Sequence, residues 1–150
     1  MTRRTFRAGV LEVTADFQSD RITAINVPEQ IPDGLEPAML ADLLEQLSKF
    51  PIQWPNSGPF TRRIWEELQK IPAGTALTYA ELAEAVGNPK AVRAVGQACG
   101  SNHLPLLVPC HRVVAEAGPG GFGLGLDWKF KLLELEAEFW QLAKQPVSKS

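Results

Sequence analysis

The run Leu106-Leu107-Val108-Pro109-Cys110-His111-Arg112-Val113-Val114 constrains this chain more than any other feature. Apolar runs of this kind are usually buried. A thiol, an imidazole and a guanidinium at their junction are therefore costly unless each has a partner or a task. A thiol is a useful nucleophile only as thiolate, and an adjacent base eases loss of its proton. If His111 is that base, an acceptor must hold its other ring nitrogen. Glu136 is the best-placed acid. A helix is expected from near Asp127 to about Ala143, with Trp128, Leu132, Leu133, Leu135, Phe139 and Trp140 on its apolar side. Glu136 falls inside that stripe and needs a buried partner from elsewhere in the chain. Adjacent side chains often point apart, so a water between Cys110 and His111 fits as well as a direct bond. Zinc ligation by Cys99, His103, Cys110 and His111 is a weaker alternative, because adjacent ligands fit standard finger spacing poorly. A hydrolytic cysteine enzyme is weaker still, since nothing upstream suggests an oxyanion hole.

The 150 residues suit one ordinary domain or two small ones sharing a core. Net charge is −2, so contact with nucleic acid must come from a local patch. Only two cysteines occur, which suggests thiols in a reducing compartment rather than a disulfide scaffold. No stretch reads as a secretion signal or a membrane span, and a cytoplasmic location is expected.

The expected fold class is α+β. Residues 6–27 read as extended, with strands at 8–14 and 21–27 and a turn at Gln18-Ser19-Asp20. Leu35, Met39, Leu40, Leu43, Leu44, Leu47 and Phe50 predict one helix. The Pro- and Gly-rich stretch 51–59 reads as a linker, dividing a structural αβ domain (1–58) from a mainly helical domain (59–150). Beyond it, a helix from Pro59 to about Lys70 carries Phe60, Ile64 and Leu68 on one face. Thr78-Tyr79-Ala80-Glu81 has capping-box spacing and opens a short helix that stops at Gly87. Asn88 as N-cap and Pro89 in the first turn would restart a helix at once, over about 89–100. Two helices so joined form a helix-turn-helix candidate, winged-helix-like in setting. On the second, Lys90, Arg93 and Gln97 would share a polar face, while Val92, Val95 and Cys99 face the core. Residues 87–115 hold no acid but include Lys90, Arg93 and Arg112, a local cationic patch. On pattern alone, nucleic-acid binding and a small-residue helix packed closely on its neighbour both remain open. Residues 145–150 read as a frayed tail.

Ile71-Pro72-Ala73-Gly74, Thr78-Tyr79, Gly87-Asn88-Pro89, Arg93-Ala94-Val95-Gly96, Asn102 and Pro109-Cys110-His111-Arg112-Val113-Val114 together resemble the O6-alkylguanine-DNA alkyltransferases. The likeness covers roughly residues 59–140 and includes the spacing between motifs. The N-terminal third is compatible with that family's variable αβ domain. The resemblance implies a single-turnover repair reaction, with no cofactor, in which Cys110 accepts the alkyl group of a flipped O6-alkylguanine. It implies that His111 activates Cys110 through a water, that Glu136 completes the relay, and that Asn102 braces the turn before the active-site segment. It implies a monomer bound to double-stranded DNA at the minor groove, with Arg93 filling the space of the extruded base and Tyr79 contacting the flipped nucleotide. Lys90, Gln97 and Arg112 would join the DNA contact. The loop 118–125, with Phe122 and Gly123, would wall the guanine pocket, with Lys129 just beyond. Phe122 stands where the family often has Tyr, and no Cys/His cluster suggests an N-terminal zinc site. Two rivals remain. Alkyltransferase-like proteins bind the lesion but lack the acceptor cysteine that is present here. A plain helix-turn-helix regulator would carry its thiols incidentally.

Overall fold

The computed structural model describes residues 1–56, 58–115, 120 and 124–144, with side chains as far as residue 137. It is an α+β structure. Strands β1 (Thr2–Ala8), β2 (Leu11–Gln18) and β3 (Arg21–Asn26) form an antiparallel sheet in the order β1-β2-β3. Strict alternation in β2 buries Leu11, Val13, Ala15 and Phe17 on one face. The expected turn after Gln18 is present: Ser19 and Asp20 both take positive φ, as a two-residue hairpin between twisted strands requires. The expected strand at 8–14 is split, because Gly9 and Val10 turn the chain and Thr2–Ala8 forms a strand of its own. On the outer face of this edge strand Arg3 and Arg7 pair with Asp16 and Glu12 of β2, while Arg4, on the opposite face, covers buried Phe17.

Helix α1 (Pro37–Leu47) buries Leu40, Leu43 and Leu47 and packs on the sheet and on α5 (Leu126–Lys144). The 51–59 stretch is docked rather than loose. Ile52 bridges to Ile22 of β3, with hydrogen bonds on both sides, and Trp54 stacks on Trp65 at 6.0 Å. Helix α2 (Pro59–Leu68) buries Ile64, Trp65 and Leu68. Strands β4 (Leu77–Thr78) and β5 (Val113–Val114) pair in parallel and hold the start of α3 (Tyr79–Ala85) beside the exit of the Cys110 segment. One hydrophobic core runs from the sheet through all the helices. Two hydrogen bonds cross the linker: Ile25 N–H donates to the His103 carbonyl (3.0 Å), and Trp128 Nε1 to that of Pro28 (2.9 Å). No described helix is long and apolar enough to cross a membrane.

The helix-turn-helix is present with one change. The capping box at the start of α3 is complete, Thr78 and Glu81 each accepting from the other's backbone N–H. At its end Gly87 N–H bonds to Glu84 and Asn88 N–H to Ala83, the paired bonds of a Schellman stop. Asn88 belongs to the end of α3 and does not cap the next helix. Its carbonyl instead receives Ala91 N–H in a turn, and α4 (Val92–Gly100) starts at residue 92. Lys90 therefore lies in the turn, off the helix face expected for it. Val95, Ala98 and Cys99 face inward, whereas Val92 is exposed.

Gly87 holds φ at +81°, where a Cβ is disfavoured. Gly87→Ala should cost about 1–2 kcal/mol in urea unfolding. An unchanged midpoint would show that the Schellman stop does not control this turn.

Candidate functional site

After α4 the chain makes a braced loop before its nucleophile. Asn102 Oδ1 accepts from Leu104 N–H (2.8 Å), which fixes the orientation of its amide. Its Nδ2 then donates both to the Val108 carbonyl (2.8 Å) and to Cys110 Sγ (3.2 Å). One amide thus closes the loop and touches the sulfur. Cys110, His111 and Arg112 follow as a single 3-10 turn, all three buried. That turn lets neighbouring side chains diverge: the sulfur goes toward Asn102, while His111 and Arg112 reach α5.

The acid expected to meet them does so. Glu136 Oε2 accepts from His111 Nε2 (2.8 Å) and from Arg112 Nη2 (2.6 Å), and Arg112 Nε spans both oxygens at 3.0 and 3.2 Å. The remaining guanidinium nitrogen, Arg112 Nη1, donates to the Ile71 carbonyl at 2.7 Å. Burial alone would raise the Glu136 pKa, but the hydrogen bonds from His111 and Arg112 and the Arg112 charge outweigh it and hold the group at about 2. Because Glu136 accepts at Nε2, the neutral imidazole carries its proton there, and Nδ1 is the basic nitrogen.

This pairing corrects one expectation. Arg112 is no part of a cationic surface patch: it is 9% exposed and fully engaged with Glu136 and Ile71. The orphan acid in an apolar helix stripe and the orphan cation in an apolar run satisfy each other. Lys129 is also internal rather than surface, donating to the Val113 carbonyl at 2.7 Å with its ammonium 5.9 Å from the Tyr79 ring. Lys129, Leu132 and Glu136 share the inward face of α5.

Burial pushes the Cys110 thiol pKa up, while the Asn102 hydrogen bond and the Lys129 charge pull the other way. At rest it is a protonated thiol in a site that already carries groups favouring thiolate. Burial pushes the Cys99 thiol up to about 12. Among the described residues no three of His, Cys, Asp and Glu gather to hold a metal ion, so Cys99 and His103 do not extend to a four-ligand set with Cys110 and His111.

Tyr79, at the start of α3, lies half-buried against Gly120. A Cβ on Gly120 would come within 2.8 Å of the Tyr79 ring, so the glycine is what allows the loop to lie on it. Composition alone could not signal this pair. Phe122 and Gly123 lie outside the described residues, as do the side chains of Phe139 and Trp140. Arg93 and Gln97 are exposed on α4, and Gly96 and Gly100 fall on the same side of the helix. A Cβ at either glycine would meet nothing within 4 Å. The thin face therefore does not come from packing on a neighbouring helix; its outer side is open. Also unforeseen was Trp65, whose Nε1 donates to the Ala98 carbonyl (2.9 Å) and holds α4 from behind. Trp65 beside Ile64 on the apolar side of this helix was the available signal.

Folded Glu136 has a lowered pKa. Its contribution to stability is therefore present above the unfolded value near 4.5 and is lost as pH falls toward about 2. Glu136→Gln should cost about 3–5 kcal/mol at neutral pH by leaving Arg112 without its counter-charge. It should also flatten the acid limb of the stability–pH curve. A variant of native stability at pH 7 would refute the pairing.

Residues 59–138 match the family model described as 6-O-methylguanine DNA methyltransferase, DNA binding domain. The chain is 47% identical over 93 residues to a methylated-DNA–protein-cysteine methyltransferase of Mycolicibacterium paratuberculosis, covering 61% of this chain and 56% of that one. It is 49% identical over 80 residues to the constitutive enzyme of that name from Bacillus subtilis, covering 52% of this chain and 48% of that one. These matches span about half the length of the curated relatives. Over nearly the whole molecule, the structure superposes on Mycobacterium tuberculosis OGT, solved in complex with DNA. The TM-score is 0.72 at 30% identity, covering 91% of this chain and 92% of that one. With its Pro-Cys-His-Arg segment, its Asn brace and its helix-turn-helix inside the matched region, this chain belongs to the 6-O-methylguanine DNA methyltransferase family.

Proposed function

We propose that the protein repairs O6-alkylguanine, chiefly O6-methylguanine, in duplex DNA by transferring the alkyl group once and irreversibly to its own Cys110. The observation that carries this reading is the buried Cys110 thiol with the Asn102 amide on its sulfur, beside a His111 whose Nε2 is held by Glu136. The O6 atom lies inside the base stack, so the nucleotide must leave the helix before a thiol can reach it. Cys110 gives its proton toward Nδ1 of His111 through a water, and the Glu136 carboxylate stabilises the imidazolium. Arg112 keeps that carboxylate ionised. The thiolate attacks the alkyl carbon, the carbon–O6 bond breaks, and guanine recovers a proton on its ring. The thioether has no good leaving group, so the protein is spent. The substrate carries its own activated alkyl group, and no cofactor enters.

Helix α4 is the reading's DNA-facing element. Its open glycine face suits close approach to a minor groove, with Arg93 and Gln97 outward and Lys90 in the preceding turn as a phosphate contact. Arg93 takes the place of the flipped base. Tyr79 and Lys129, close to each other beside Gly120, border the base pocket. We keep the division at residue 58, with 1–58 structural and 59–150 carrying the chemistry, and assign a monomeric, cytoplasmic protein.

Intact-mass spectrometry after incubation with a duplex containing O6-methylguanine tests the reaction. The expected result is one methyl group on the native protein, located to the Cys110 peptide and absent from Cys110→Ala. Lesion-selective binding without a mass change would indicate a non-catalytic sensor, and sequence-selective binding alone a regulator. The DNA face has its own test. Gly96→Ala should stabilise the fold by about 0.5–1 kcal/mol, as Ala does in a helix interior, yet weaken duplex binding. Unchanged or tighter binding would remove α4 from the interface.

A further inference from the structure

We propose that the outer edge of the N-terminal sheet gauges the alkyl group that Cys110 accepts, with Ala24 as the residue that sets its size. The inference rests on the alkyl-transfer reading above. A cavity of about 280 Å³ opens beside the nucleophile. Cys110, Cys99 and Asn102 line it on one side, and Ala24 and Asn26 of β3 line it on the other. The 1–58 segment therefore supplies part of the wall of the acceptor site.

That wall is fixed relative to the sulfur. Strand β3 pairs with β2 along one edge only. Along the other, Ile25 N–H donates to the carbonyl of His103. His103 follows Asn102 directly, and the Asn102 amide bonds Cys110 Sγ. The strand edge cannot retreat without pulling on the residue next to that brace.

The reaction gives the cavity its meaning. A catalyst that turns over releases its product, but here the transferred group stays on the sulfur and must be housed there. A methyl group fills a small part of the space. An apolar cavity of about 150 Å³ is enough to hold benzene, so about 280 Å³ accommodates an arylmethyl group. Ala24, Cys99 and Pro105 supply short apolar walls, while Asn26 and His103 stand exposed at the rim. This composition suits a neutral aromatic group. A larger side chain at residue 24 takes up the room that a methyl group does not need.

The test compares second-order transfer rates, read by intact mass, for duplexes carrying O6-methylguanine or O6-benzylguanine. The native protein is expected to accept both. Ala24→Phe should slow benzyl transfer by about tenfold or more while methyl transfer stays within about twofold, the discrimination a tightened apolar pocket gives. Thermal midpoints are recorded for each variant. If Ala24→Phe does not fold, Asn26→Phe makes the same comparison from an exposed position on the same wall. Parallel loss of both transfers in a natively stable variant would overturn the gauge, because the edge would then be positioning Cys110 itself. Native protein that takes methyl but not benzyl would overturn it while leaving the alkyl-transfer reading intact. Transfer of neither group would sink that reading, and the gauge with it.

Discussion

Glu136 is a carboxylate 4% exposed on an otherwise apolar helix face, and it survives there because two cationic or proton-bearing side chains converge on it. Removing an ion from water costs several kcal/mol, and only near-complete hydrogen bonding recovers it. That requirement organises much of the molecule. To deliver His111 and Arg112 together, the chain must make the tight turn at Cys110. To satisfy the rest of Arg112, the Ile71 carbonyl must lie alongside. To hold Ile71 and the turn in register, β4 and β5 pair, and this brings Tyr79 to the site. A single ion pair thereby ties together α5, the nucleophile segment and the entry to the helix-turn-helix.

A second set of contacts fixes α4. Its last turn is held from behind by Trp65, which is stacked in turn on Trp54, and from below by the Asn102 brace. The outward residues of α4 and the inward sulfur of Cys110 are therefore positioned by the same few bonds. A helix that must meet a DNA groove while its neighbouring loop presents a thiol needs this kind of common support.

Much of this was legible beforehand, where a local pattern carried the information. Helical spacing found α1, α2 and α5. The Thr78–Glu81 box found the start of α3, and an acid inside an apolar stripe identified Glu136 as needing a partner. What failed had two available outcomes that only tertiary structure decides. Asn88 caps helices well, but residues 88–91 form a turn of their own and α4 starts only at Val92. Arg112 in an acid-free stretch reads as a surface cation until its distance from Glu136 is known. The sequence reads as extended only from residue 6 and does not separate β1 from β2, because the arginine-rich segment 2–7 lacks a run of apolar alternation. Nothing local could show that Ala24 and Cys110 border one cavity, since 86 residues separate them (110 − 24). Cys110, His111 and Glu136 stood out because polar groups set in apolar runs announce a need for partners.

The hydrogen bond from Trp128 to Pro28 spans 100 residues, and α1 rests against α5. On a ribosome the N-terminal third emerges long before the helix that covers it. Until that helix arrives, the apolar row Leu40, Leu43 and Leu47 lacks part of its cover, and contacts this distant in sequence form slowly. Glu136 arrives with the same late helix. A nascent chain thus holds the thiol before it holds the acid that orients His111, and its reactive centre is assembled only once α5 has been made.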